Sequence, residues 1–171
     1  VTSVNPEAVA KTEAKQSINE ALKAKNNEID ARTDLTDEEK TAAKAEAKAK
    51  ADEAKSAIDN ATTNAAVDQA QSIGTIEVNL INPVAVAKTE AKKEIDDALK
   101  AKNDEIDART DLTDEEKTAA KAEAKTKADA AKAAIDNATT NSAVYQAQST
   151  GIEEVNSVNP IAQIRPAVGA S

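Results

Sequence analysis

Apolar positions in this chain fall three and four residues apart, over stretches too long for strands. Ala14, Ile18, Ala21, Leu22 and Ile29 form one such stripe. Ala43, Ala47, Ala51, Ala54, Ile58 and Ala61 form a second, and Ala66, Val67, Ala70 and Ile73, extended by Leu80 or Ile81, form a third. The pattern then starts again. Asn5-Pro6, Asn82-Pro83 and Asn159-Pro160 recur 77 residues apart, and residues 6–82 differ from residues 83–159 at 16 of 77 positions, leaving 61 identical. Glu28 to Lys48 is the same, letter for letter, as Glu105 to Lys125. The third stripe returns as Ala143, Val144, Ala147, Val155 and Val158.

Local chemistry marks where these helices begin. Asn5 reads as an N-cap with Pro6 at the first helical position, where its missing N–H costs nothing; Asn82 and Pro83 repeat the pair. Glu28 and Arg32 stand at i,i+4 with the acid first, the favourable order for a pair, near the end of this first helix. Thr36-Asp37-Glu38-Glu39 reads as a capping box, Thr36 capping and Glu39 reaching back, with its copy at Thr113 and Glu116. Thr63 caps the third helix and Thr140 its copy. Gly74 and Gly151 fall inside that third helix, and two readings stay open. The glycine marks a close helix–helix approach, or it is a weak spot costing about 1 kcal/mol relative to alanine.

Three amphipathic helices per unit, each marginal alone, predict an antiparallel three-helix bundle. The expected fold is all-α, with tandem antiparallel three-helix bundles arranged end to end as an elongated rod. The expected domains are residues 6–82, residues 83–159, and residues 160–171 as the truncated start of a further repeat or a disordered tail. At the junction, Asn82-Pro83 ends one unit and begins the next, or the third helix runs nearly straight into the following first helix. No Gly/Ser linker separates the copies, which predicts restricted bending.

Composition thins the core of this picture. Alanine occupies 39 of 171 positions, and Phe, Trp, Met, Cys and His are absent. Alanine favours helix strongly but buries little apolar area, so helices must approach closely around a narrow core. The net charge of −9 argues against nucleic acid and anionic lipid as partners. No apolar run approaches the roughly 20 residues needed to cross a bilayer, so no membrane insertion is expected.

The chemistry on offer is sparse. Without His or Cys, the usual bases, nucleophiles and transition-metal ligands are missing, so neither an enzyme nor a cofactor or metal site is expected. Asp34, Asp37, Glu38 and Glu39 crowd together but lack the spacing and central glycine of a calcium loop, and helix capping explains them. Lys40, Lys44 and Lys48 line one helical face interrupted by acids, which reads as a solvated face. Tyr145, the sole aromatic, replaces Asp68 of the first unit and is either a contact residue or cover for the bundle edge.

The phrase EIDARTDLTDEEKTAAKAEA, then AKxAIDNATTNxAV and a closing VNxxNP, resembles the repeat known as domain of unknown function 1542. Such repeats form long arrays in cell-wall-anchored surface proteins of staphylococci and related Gram-positive bacteria. The resemblance covers both units and implies a three-helix, non-catalytic stalk or spacer, extracellular and at the cell wall, that projects an adhesive domain. Its motif positions here, Leu35 to Lys40 and Asp59 to Asn64 with their copies at 112–117 and 136–141, are caps and turns on this reading. The alternative function is a repeated low-affinity binding module for a host matrix or plasma protein, a cell-wall polymer or another copy of itself. The partners expected are neighbouring repeats in the same chain and a host extracellular-matrix or plasma protein.

Overall fold

Capping chemistry and the Asn-Pro steps set the lengths of the helices. In the computed structural model, which describes residues 6–163, the order is α1 (Pro6–Asp30), α2 (Asp37–Asn60), α3 (Asn64–Asn79), α4 (Val86–Asp107), α5 (Asp114–Asn137) and α6 (Asn141–Asn156). The described residues contain no strand. Thr36 Oγ1 accepts from the Glu39 amide at 3.2 Å while the Glu39 carboxylate accepts from the Thr36 amide at 3.0 Å. Thr113 and Glu116 repeat both bonds at 3.0 and 2.8 Å. Asp37, Glu38 and Glu39 fill the first turn of α2, where the helix dipole favours negative charge. Thr63 and Thr140 cap α3 and α6, each hydroxyl accepting from the amide three residues on at 3.0 Å.

The chain divides into two compact units between Ala85 and Val86. Within each, every helix packs against the other two. The core of unit 1 has two parts. Ala14, Ile18, Ala51, Ala54, Ile58, Val67 and Val78 fill the three-helix part, and Ile29, Leu35, Ala43, Ala47 and Ile81 fill the other. Unit 2 repeats both around Ile95, Ile135 and Val155, and around Ile106, Leu112 and Val158. Every buried residue of unit 1 recurs in unit 2 at the 77-residue offset except Ile81, which becomes Val158, and Thr36, whose copy Thr113 is half-buried.

Three expectations change in the structure. First, Asn82 and Pro83 do not cap and start a helix; residues 82–85 have no regular structure, and α4 begins at Val86. The bond before a proline disfavours helix, so α3 stops short of it. The segment then folds back on unit 1 because partners wait there. Lys25 Nζ donates to the Ile81 carbonyl at 2.9 Å, Arg32 donates to the Pro83 carbonyl at 3.0 Å, and Ile81 and Ala85 pack on the second core part. This strap takes the place of the turns that the 16-residue α3 lacks beside the 25-residue α1. In unit 2, Arg109 donates to the Pro160 carbonyl at 3.1 Å, the Gln163 amide to Glu116 at 3.0 Å, and Ala162 packs on the core. Residues 160–163 thus pack on unit 2; residues 164–171 lie outside the described residues.

Second, Ile73 and Leu80 do not face the core of α3; Val67, Gly74 and Val78 do. The inward face runs through the glycine, so a stripe counted on apolar residues alone is rotated toward solvent. Third, Glu28 pairs with Lys25 at 2.8 Å, while Arg32 turns to Asp34 at 2.8 Å. The strap carbonyls hold Arg32 on that side of the helix end.

The strap yields a direct test. A fragment of residues 1–82 is expected to unfold at lower denaturant than residues 1–86, because Pro83 and Ala85 are missing from it. Equal midpoints by circular dichroism would mean that the strap adds nothing.

Candidate interaction surface

The cap residues named from sequence sit at helix starts rather than together. Pro6 is the first residue of α1, Asn5 lies outside the described residues, and Thr36, Thr63, Thr113 and Thr140 each stand immediately before a helix. Tyr145 is exposed on α6. None of these residues converges on a shared pocket.

What sequence reasoning missed is the use of lysine. Helices α1, α2 and α3 carry no basic residue in their last turns. Lysines from elsewhere in the fold supply the positive charge that a helix C-terminus favours. Lys40 Nζ donates to the Asp30 carbonyl at the end of α1 at 2.9 Å, and Lys11 Nζ to the Asp59 carbonyl in the last turn of α2 at 2.9 Å. Lys25 Nζ donates to the Asn79 carbonyl at the end of α3 at 3.0 Å, besides Ile81 and Glu28. Unit 2 repeats the scheme with Lys117, Lys88 and Lys102 at 3.0, 2.7 and 3.0 Å. Lys25, Lys88 and Lys102 are buried. The signal was present in the sequence: Lys25 sits on the stripe Ile18, Leu22, Lys25, Ile29, at the spacing of a core position.

The lysine face of α2 is therefore occupied by partners within the fold. Lys44 pairs with Asp30 at 2.8 Å and Lys48 with Asp52 at 2.7 Å. The hydrogen bond from Lys48 is the main reason the Asp52 carboxyl lies below its ordinary range, with the charges of Lys48 and Lys55 adding and desolvation opposing. Asp129 is lowered in the same way by Lys125 and Lys132. Lys132 is raised, first by its hydrogen bond to Asp96. Arg32 and Arg109 are raised by theirs to Asp34 and Asp111. A lowered acid stabilises the fold above its unfolded pKa and loses that contribution as pH falls through the folded value. A raised base contributes below its unfolded pKa and loses it as pH rises through the folded one. Between about pH 5 and 9 these contributions stay constant.

One concave surface recurs in both units. In unit 1 a groove of about 290 Å³ runs between α2 and α3, floored by Ala54, Ala57 and Ala70 and bordered by Glu53, Ile73 and Glu77. In unit 2 its counterpart, about 320 Å³ between α5 and α6, has Ala130 in place of Glu53 and Thr150 in place of Ile73. The surface is a shallow apolar trough, with Glu53 and Glu77 at its edges in unit 1 and Glu154 alone in unit 2. Among the described residues no group of three or more acidic, His or Cys side chains could hold a metal ion, and no helix is long and apolar enough to cross a membrane.

Comparison with known proteins bears on both units. The model of a domain of unknown function, DUF1542, matches residues 10–86 and again residues 87–163. The chain is 40% identical over 114 residues to extracellular matrix-binding protein EbhA of Staphylococcus aureus strain Mu3, covering 66% of this chain and 2% of that protein. It is 40% identical over 114 residues to extracellular matrix-binding protein ebh of S. aureus strain USA300, covering 66% of this chain and 1% of that protein. It is 39% identical to ebh of strain MW2 over 114 residues, with 66% and 1% covered. The chain thus spans only 1 to 2% of the length of these curated relatives. No solved structure matches it. Two copies of one three-helix repeat, matched over 154 of 171 residues, place this chain in the DUF1542 family.

Proposed function

We propose that the chain is a repeated, low-affinity binding module of an extracellular bacterial surface protein, with a host matrix or plasma protein as its partner. The observation that carries this reading is the kinship with proteins named for binding extracellular matrix, seen across two thirds of the chain. The two copies supply a similar trough twice, and weak sites in tandem gain avidity when one partner engages both. The test is surface binding of the immobilised chain to purified matrix and plasma proteins, beside each unit alone. Saturable binding that tightens at least about tenfold from one unit to two supports the module. No saturable binding to any of them would sink it.

A second reading, a stalk that projects an adhesive domain from the cell wall, is favoured by a different observation. The two units share nearly all their buried residues, and most of their differences lie on exposed positions, the mark of a part copied for its shape. Small-angle scattering on one, two and four repeats tests it. A maximum dimension that grows linearly with repeat number supports a stiff spacer, and growth nearer the square root counts against one.

A further inference from the structure

Unit 1 carries an apolar stripe that its fold does not need. Ile73, Ile76 and Leu80 are 49, 58 and 72% exposed, and their i, i+3, i+7 spacing sets them on one face of α3, with Leu80 the residue that caps its end. Unit 2 has Thr150, Glu153 and Ser157 at the same places. There α6 has the same 16-residue length, the same threonine cap and the same inward Val, Gly and Val. The second copy is an internal control: α3 would form without its apolar face. Ile73 also borders the trough between α2 and α3, so stripe and trough meet at that residue.

The charges beside the stripe identify an occupant. Glu53 and Glu77 stand at the trough, and the cation on that edge, Lys50, lies 3.7 Å from Glu77. Residues 6–82 carry 10 basic and 15 acidic side chains, so the surroundings are net acidic by five charges. We propose that this face of unit 1 docks a cationic amphipathic α-helix of a partner protein. Its aliphatic side chains lie on Ile73, Ile76 and Leu80, and its lysines or arginines face Glu53 and Glu77. Apolar anchors at helical spacing in a groove are a recurrent mode of helix recognition. Charge selects this occupant over a second copy of the chain, which would set Glu53 and Glu77 against acidic surroundings like their own. The proposal rests on the binding-module reading and gives unit 1 a docking face and a partner chemistry beyond the trough that both units share.

The test uses the whole chain and a labelled peptide of about five helical turns, built from leucine and lysine at amphipathic spacing. The variant is I73T/I76E/L80S, which installs unit 2's own residues and so keeps the fold; a thermal melt verifies this. Expected is saturable binding to the unaltered chain, weakened about tenfold or more in the variant and by added salt. A peptide with glutamate in place of lysine is expected not to bind. Equal binding by chain and variant would overturn the proposal. So would sedimentation of the unaltered chain as a dimer that the variant abolishes, which assigns the stripe to self-association. Matrix-protein binding separates the two levels. Retention by the variant overturns this surface and leaves the module standing, whereas absence from both chains, with peptide binding intact, removes the module and leaves a helix-docking face.

Discussion

Replacing Gly74 with alanine is expected to destabilise unit 1, although alanine is the better helix former by about 1 kcal/mol. An added Cβ would lie 2.3 Å from the Cβ of Ala54 and 2.9 Å from Cδ1 of Ile18. The isoleucine tip can swing aside; Ala54 Cβ is fixed to the backbone of α2, so the helices themselves must part. Overpacking of this kind costs about 1–3 kcal/mol, and the clash with a rigid partner places it at the upper end, above the gain in propensity. For a unit of this size each kcal/mol lowers the thermal midpoint by roughly 4–8 °C. A Cβ added at Gly151 would lie 2.4 Å from the Cβ of Ala131, which predicts the same for unit 2. The double variant G74A/A54G moves the methyl group to the other helix and is expected to recover part of the loss, a coupling that a double-mutant cycle reads directly. An unchanged midpoint for G74A would show that α2 and α3 do not approach so closely.

The second large effect is expected from Lys25→Met. The methionine keeps most of the aliphatic stem but removes the ammonium that the Asn79 and Ile81 carbonyls share. Those carbonyls are left without their donor beside the second core part, and hydrogen bonds to a charged group contribute about 1.5–3 kcal/mol. A loss of that order, measured by urea unfolding, is the expected result. Glu28→Gln is the companion control. Glu28 is well exposed, so its ion pair with Lys25 contributes only about 0–1 kcal/mol. If the two substitutions cost the same, the ion pair and not the capping of α3 holds Lys25 in place.

These two residues also show where the sequence was legible. Thr36 and Glu39 could be recognised because a capping box is complete within four residues and needs nothing from the rest of the fold. The alanine seam of α2 was visible for a similar reason: its 3.6-residue period is a property of one helix. Gly74 could be located but not interpreted, since what fills the space opposite it lies on Ala54, 20 positions away. Lys25 was hidden by its own chemistry. A stripe count assigns lysine to solvent, and only the end of α3, 54 residues further on, explains its burial. Asn82-Pro83 misled because it is a good local start signal that loses to tertiary partners, Lys25 and Arg32, already placed on unit 1. Ile73 and Leu80 take core places in a stripe count for want of a large residue at position 74. The trough depends on the spacing between helices, and no local pattern carries that.

The near-identity of the two cores has a consequence for how the chain assembles. The pocket that Val67, Gly74 and Val78 enter is lined by Ile18, Ala54 and Ile58, and its counterpart for α6 is lined by Ile95, Ala131 and Ile135. The interior therefore carries almost no code to tell α3 from α6, and a swapped arrangement would be packed nearly as well as the native one. Fidelity then rests on kinetics. Only residues 61–63 join α2 to α3, so the proper helix arrives at very high effective concentration, before its rival downstream is within reach. Lengthening that three-residue turn would leave the native contacts intact while loosening the one restraint that sorts like from like. Misassembly between tandem copies, a recurrent failure of repeat proteins, would then become competitive with folding.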